Sequence, residues 1–191
     1  LLQRGATIDA TAADGMTALS KAALEGHRRI VVMLNVEKAK RAAADVAEES
    51  KGDGAGGGPD HERGEAPALD KATRNRPEKK AVPVQVDRQS RRKAKKMLAS
   101  KQTFGDGGQF TPLGWFVAKG DLDMCTALLA CGADADELTL ENRASPLRIA
   151  CEAGHEHIAS LLINHGCDIH GLDEDGGFAL YAACQFGRAE V

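Results

Sequence analysis

Aromatic side chains are scarce in this chain: one Trp, one Tyr and five Phe make up 4% of its 191 residues. A core with so few of them must be filled by Ala, Leu and Ile, which suits short, closely packed helices. Long apolar runs are missing too. No stretch approaches the ~20 consecutive apolar residues that a membrane-spanning helix needs, and no signal-peptide pattern is visible. The five cysteines (Cys125, Cys131, Cys151, Cys167 and Cys184) are odd in number and contain no CxxC pair. The glycine runs around Gly54 and Gly105 lack the strand, the helix and the Lys-Ser/Thr that a phosphate loop requires. His155-Glu156-His157 has no third ligand placed near it by the sequence. No Ser/His/Asp or Cys/His set has support beyond the presence of those residue types. Catalytic chemistry, a cofactor and a metal are therefore not expected.

What the chain does have is a recurring unit. Its clearest copy is SPLRIACEAGHEHIASLLINHGCDIH, residues 145–170. Ser145 is a natural N-cap and Pro146 suits the first helical position, where its missing N–H costs nothing. Leu147, Ala150 and Cys151 form a short apolar face, and Gly154 ends the first helix. Ile158, Leu161 and Leu162 stripe a second helix at i, i+3, i+4, and Gly166 closes it. Neither helix reaches the ~12–15 residues at which an isolated helix becomes marginal in water. The unit needs neighbours, and the sequence supplies them at Thr17, Thr111 and Phe178. Leu19, Leu113, Leu147 and Leu180 share one position, and Gly26, Gly120, Gly154 and Gly187 another. Ile30, Met124 and Ile158 share a third, and Leu34, Leu128 and Leu162 a fourth. Such a period, with two short helices per unit, is the mark of a solenoid.

These residues and spacings resemble the ankyrin repeat: TPL or SPL, an Ala-rich helix, GH, a Leu pair, then GA before a turn. The resemblance covers 1–35 and 105–191. The expected fold is all-α, an ankyrin-like helical solenoid with short β-hairpin-type turns, interrupted by a long low-complexity insertion. Residues 1–49 hold the end of one repeat and a full repeat whose second helix overruns its usual end. Residues 50–83 form a disordered linker, poor in large apolar groups. Residues 84–104 hold a basic helix, and 105–191 two full repeats and a truncated one. Both ends fall inside repeats, so a fragment of a longer repeat protein is expected. The spacing from Thr17 to Thr111 leaves two alternatives. Either the Thr17 repeat is split and closed by the helix of Met97 and Leu98, or the insertion hides a degenerate repeat. Cys151 and Cys184 share a repeat position. Packed helices lie about 8–10 Å apart, whereas a disulfide wants Cα atoms within about 7 Å. The thiols should stay reduced, as suits a cytoplasmic or nuclear chain.

Repeats of this family bind partner proteins, so the resemblance implies a non-catalytic interaction module. Its partner surface would be concave, built from the hairpin tips and the exposed ends of the first helices. Mapped onto this sequence, the helix positions are Leu24 and Glu25, Ala118 and Lys119, Glu152 and Ala153, Gln185 and Phe186. The tips are Met16, Phe110, Ala144 and Gly177. Phe110, Trp115 and Phe186 are the stronger candidates, since aromatics are enriched in hot spots, although Trp115 equally suits the space above Gly114. The family's TPLH histidine is replaced by Ser20, Gly114, Arg148 and Tyr181, which implies weaker ties between turns. His155 and His27 fall at the GH position, where the second helix begins.

Charge supplies a second reading. Residues 36–101 carry 17 basic and 11 acidic side chains, while the remainder carries 8 and 17. An acidic repeat body thus holds a basic insertion, dense around Arg88, Arg91, Arg92, Lys93, Lys95 and Lys96. That cluster suits an acidic partner or the phosphates of nucleic acid, as in a targeting or regulatory segment of a larger enzyme or nuclear protein. No aromatic is interleaved for base stacking, and a solvated charged helix is the plain alternative.

Overall fold

The computed structural model describes residues 1–49, 86–100, 103–105, 110–140, 143–174 and 176–191. The expected disordered linker, 50–83, lies outside the described residues. Eight α-helices are described: α1 (Ala18–Leu24), α2 (Arg28–Glu49), α3 (Arg88–Ser100), α4 (Pro112–Lys119), α5 (Leu122–Ala130), α6 (Pro146–Ala153), α7 (Glu156–Asn164) and α8 (Ala179–Gln185). The strand character among the described residues is confined to single bridges, Thr11 with Thr17 and Phe104 with Phe110, at the hairpin bases.

Local chemistry fixes the helix ends. Thr17, Thr111 and Ser145 each accept the N–H three residues on, at 3.2 Å in all three cases. Gly120 and Gly154 close α4 and α6 in the left-handed region. Each first helix lies antiparallel to its second, and the Leu positions predicted from the repeat meet between them. Leu34, Leu128 and Leu162 are 1% exposed or less, each worth roughly 1.5–3 kcal/mol of burial.

The order of stacking departs from the order of the sequence. The first helices pack as α4, α6, α8 and then α1. The second layer runs α3, α5, α7, a short turn of helix at Leu2–Arg4, and α2. Arg4 of that turn donates to Asn164 Oδ1 at the end of α7 (2.6 Å), and Arg41 of α2 donates to the Leu2 carbonyl (2.9 Å). Residues 1–49 therefore continue the array beyond α8. The helix of Met97 and Leu98, which the split-repeat alternative would place against the Thr17 unit, is α3, and it packs on α5 instead. Its fully buried Ala94 joins the core of α4 to α7. The physical reason is that every repeat offers the same stacking faces, so a long insertion frees the Thr17 unit to dock on either end.

All five cysteines are free. Burial pushes the Cys125, Cys151, Cys167 and Cys184 thiols up to about 12. They stay protonated and unreactive at neutral pH.

Candidate functional site

The first-helix layer and its hairpins form one continuous surface. Because α1 docks on α8, the residues before each helix-ending glycine line up in the order Lys119, Glu152, Gln185 with Phe186, then Leu24 with Glu25. Leu24 is 68% exposed and Phe186 41%. Leu24 is the last residue of α1 and Phe186 the residue that caps α8, so two exposed apolar groups stand at the ends of packed helices. Glu25 is paired along its own helix with Lys21 at 3.4 Å, and Glu152 with Arg148 at 3.9 Å. The Gln185 carbonyl is engaged by His27 Nε2 at 3.1 Å.

The junctions between repeats follow a common rule. The residue after each helix-ending glycine reaches back over the glycine of the repeat before it. His155 covers Gly120, Arg188 covers Gly154, and His27 covers Gly187. The third member matters most, because it keeps the register across the α8–α1 joint. The positions that replace the family's TPLH histidine supply other ties. Arg148 Nε meets Asp173 Oδ2 at 2.7 Å, and the Tyr181 hydroxyl donates to Asp14 Oδ2 at 2.6 Å. Burial, reinforced by the Asp14 carboxylate, pushes the Tyr181 hydroxyl up to about 12. The Tyr181 hydrogen bond in turn holds the Asp14 carboxyl below its ordinary value of 3.8. At Gly114 a Cβ would come into ordinary contact with Thr139 of the next hairpin at 3.5 Å and Ile149 at 3.8 Å, with Thr111 Oγ1 the nearest atom at 3.3 Å. The weaker tying expected from the missing histidines is thus offset at two of these positions.

Phe110 and Trp115 are brought together, and with Phe104 they form an aromatic cluster. The Phe104 and Trp115 rings stack with centroids 6.0 Å apart, Phe110 meets Trp115 edge-on at 5.8 Å, and Lys119 Nζ lies 4.8 Å over the Trp115 ring. Phe104 and Phe110 exchange both backbone hydrogen bonds at 2.9 Å, which holds the hairpin under the indole. Sequence reasoning missed the pairing of Phe104 with Trp115. The available signal was two Phe flanking a five-residue glycine-rich turn, a hairpin pattern. The cluster leaves Phe110 and Trp115 half-buried, so Leu24 and Phe186 are the more open apolar groups of the candidate set.

The six basic residues named above all lie on α3 and are exposed. Ala94, Met97 and Leu98 face α5, which turns Arg88, Arg92, Lys95 and Lys96 outward. Lys93 sits 5.8 Å over the Phe116 ring. Among the described residues none of the six has an acidic partner within salt-bridge distance. No described helix is long and apolar enough to cross a membrane.

Comparison with known proteins agrees with this architecture. Residues 109–191 match the family model of ankyrin repeats, in three copies. A stretch of 73 residues, 38% of this chain, is 41% identical to a probable E3 ubiquitin-protein ligase, XBOS32, from Oryza sativa subsp. japonica, and spans 15% of that protein. Residues 109–191 thus carry ankyrin repeats, which are protein-interaction modules.

Proposed function

We propose that the chain is a non-catalytic binding module that takes a partner protein on the surface of its first helices and hairpin tips. The observation that carries this reading is the pair Leu24 and Phe186, exposed at the ends of adjacent helices in a row whose other members are Lys119, Glu152, Gln185 and Glu25 with the small, half-buried Ala118 and Ala153. Apolar groups ringed by polar ones are how interface anchors are built. Lys119, Glu152 and Gln185 extend the row and select the partner by charge and hydrogen bonding. Phe110 and Trp115 form its far edge. The test is a capture experiment from the native cell lysate at low and high salt, with the wild-type chain and with Leu24→Ala/Phe186→Ala. A partner held at high salt by the wild type and released by the double variant, at unchanged melting temperature, supports the surface. Equal retention by both removes it.

A second reading rests on α3, whose six exposed cations lack acidic partners among the described residues. An acidic protein or nucleic acid held there would be lost as salt rises. Replacing Arg88, Arg92, Lys95 and Lys96 by Gln separates the two readings, since it leaves the α5-facing seam intact. The working compartment is the cytoplasm or the nucleus, where buried thiols of this kind stay reduced.

A further inference from the structure

The basic run of α3 has no aromatic residue of its own, and the fold brings aromatic rings to its side. Over Arg88–Ser100 the helix carries the six cations and no acidic residue. Asp87, just before it, is occupied as its cap, accepting the Gln89 and Ser90 amides at 3.0 and 3.3 Å. Ala94 is buried in the repeat core and Leu98 packs against it, which turns the flank at Lys93 towards α4. There Lys93 Nζ lies 5.8 Å over the Phe116 ring. Lys96 stands one turn on from Lys93, and Arg92 one turn back from Lys96, so a row of cations borders that ring.

From Phe116 the aromatic surface continues across the hairpin. Phe104 meets Phe116 edge-on at 6.0 Å and stacks on Trp115 at 6.0 Å with an interplanar angle of 18°, and Phe110 closes on Trp115 at 5.8 Å. All four side chains are half-buried, so they hold one another in place and still reach solvent. Over the Phe116 and Trp115 rings lie the ammonium groups of Lys93 and Lys119, the second at 4.8 Å. Both lysines are exposed, and exposed side chains change rotamer within picoseconds to nanoseconds. A flat ligand that also offers each ammonium an anion can therefore displace them from the rings.

We propose that this surface binds single-stranded nucleic acid, with bases against Trp115 and Phe116 and phosphates along Arg92, Lys93, Lys96 and Lys119. The proposal rests on the reading of α3 as an anion-binding helix and names its ligand. Any row of cations holds phosphates. Rings set among the cations give the bases a place as well, without sequence preference, since every base has a π-face. A duplex keeps those faces inside its own stack, so a single strand is the better fit. An acidic peptide would neutralise the cations and leave the rings uncovered. A cationic ligand, which aromatic rings also attract, is repelled by the two lysines and by α3.

Trp115 is the only tryptophan of the chain, so its fluorescence reads the site directly. The full chain is titrated with a short oligothymidylate, an oligouridylate, a duplex of the same length, and heparin, a polyanion without bases. Saturable quenching of Trp115 by a single strand is expected, weakening as salt rises, with the duplex held less tightly. The two single strands separate DNA from RNA, and quenching by either supports the site. Trp115→Leu should weaken single-strand binding at least about fivefold and leave heparin binding unchanged, while Trp115→Phe should recover most of the loss. A single strand bound with no change in Trp115 emission, or held equally by the Trp115→Leu chain, overturns the proposal and leaves α3 as an anion-binding helix. So does a duplex held as tightly as the single strand, or an equal loss of heparin in the Trp115→Leu chain. If neither heparin nor a single strand binds, or if both survive replacement of Arg88, Arg92, Lys95 and Lys96 by Gln, the reading of α3 fails and the proposal with it.

Discussion

Residues 110–191 and residues 1–49 are built on the same template and stand on different supports. In the first region Pro112 and Pro146 open α4 and α6, and each helix pair touches the pair next to it in sequence. In the second, Ala18 stands at the proline position and the unit stacks on α8, far away along the chain. It is held there by His27 on the Gln185 carbonyl, Tyr181 on Asp14, Lys21 over the Tyr181 ring, and the Phe178, Leu180 and Cys184 side chains in its core, while its first residues bond Val191, Asn164 and His170. The lesson is that a repeat specifies its own shape and its stacking faces, while connectivity decides which copy it meets.

The strongest test of that division is core truncation on either side. Leu128→Ala and Leu34→Ala should each cost about 2–5 kcal/mol, since both side chains are fully enclosed. The first is expected to loosen α3 to α8 together, the second to open residues 1–49 alone. Amide exchange in α7 distinguishes them. If α7 loses protection equally in both variants, the two regions are one cooperative unit. Next comes the joint itself. Gly187 has φ +69, and a Cβ there would meet the His27 ring at 2.7 Å. Gly187→Ala should cost at least the ~1–2 kcal/mol of forcing a side chain into the left-handed region. Gly154→Ala is comparably strained, yet its neighbour is the flexible end of Arg188, so its loss in thermal melts should be the smaller of the two.

A smaller effect is expected from Tyr181→Phe, and it depends on pH in a defined way. The Tyr181 hydroxyl is raised from 10.0 to about 12, so its contribution is complete below pH 10 and fades as pH rises towards 12. Asp14 is lowered from 3.8, so its share is present above that value and lost as acid protonates the folded carboxyl. The variant's melting temperature should therefore fall below wild type at neutral pH and converge with it above pH 12. The least change, and the one gain, is expected from Gly114→Ala. Ser20 and Arg148 occupy the same helical position with their caps intact, so a Cβ is accommodated there. Ala in a helix is favoured over Gly by about 0.5–1 kcal/mol. A lowered melting temperature would mean that the 3.3 Å approach to Thr111 Oγ1 disturbs the cap.

Much of this was legible in the residues themselves. The caps at Thr17, Thr111 and Ser145, the glycine stops and the shared Leu positions are local signals, and local signals survive in any arrangement of repeats. The docking of the Thr17 unit on α8 was not legible, because nothing in His27 or Tyr181 says which glycine or which aspartate it will meet. The pairing of Trp115 with Phe104 was obscured for a related reason: the two residues lie on different elements, and only the hairpin closes the distance. The exposure of Leu24 and Phe186 was partly legible, since both positions came from the repeat register. Their adjacency was not, because it depends on the α8–α1 joint.

That joint has a kinetic consequence. His27 and Gln185 are 158 positions apart in sequence, and Asp14 and Tyr181 are 167 apart. Contacts of such range are reached only after the entropy of closing a long loop has been overcome. The repeats of 110–191 need only their neighbours and can form first, with residues 1–49 docking in a later, slower phase and leaving first on unfolding. Leu24 and Phe186 lie on opposite sides of this last-closing joint. A partner that grips both holds shut the step that folding completes last, and would be felt as a slower release of the N-terminal unit.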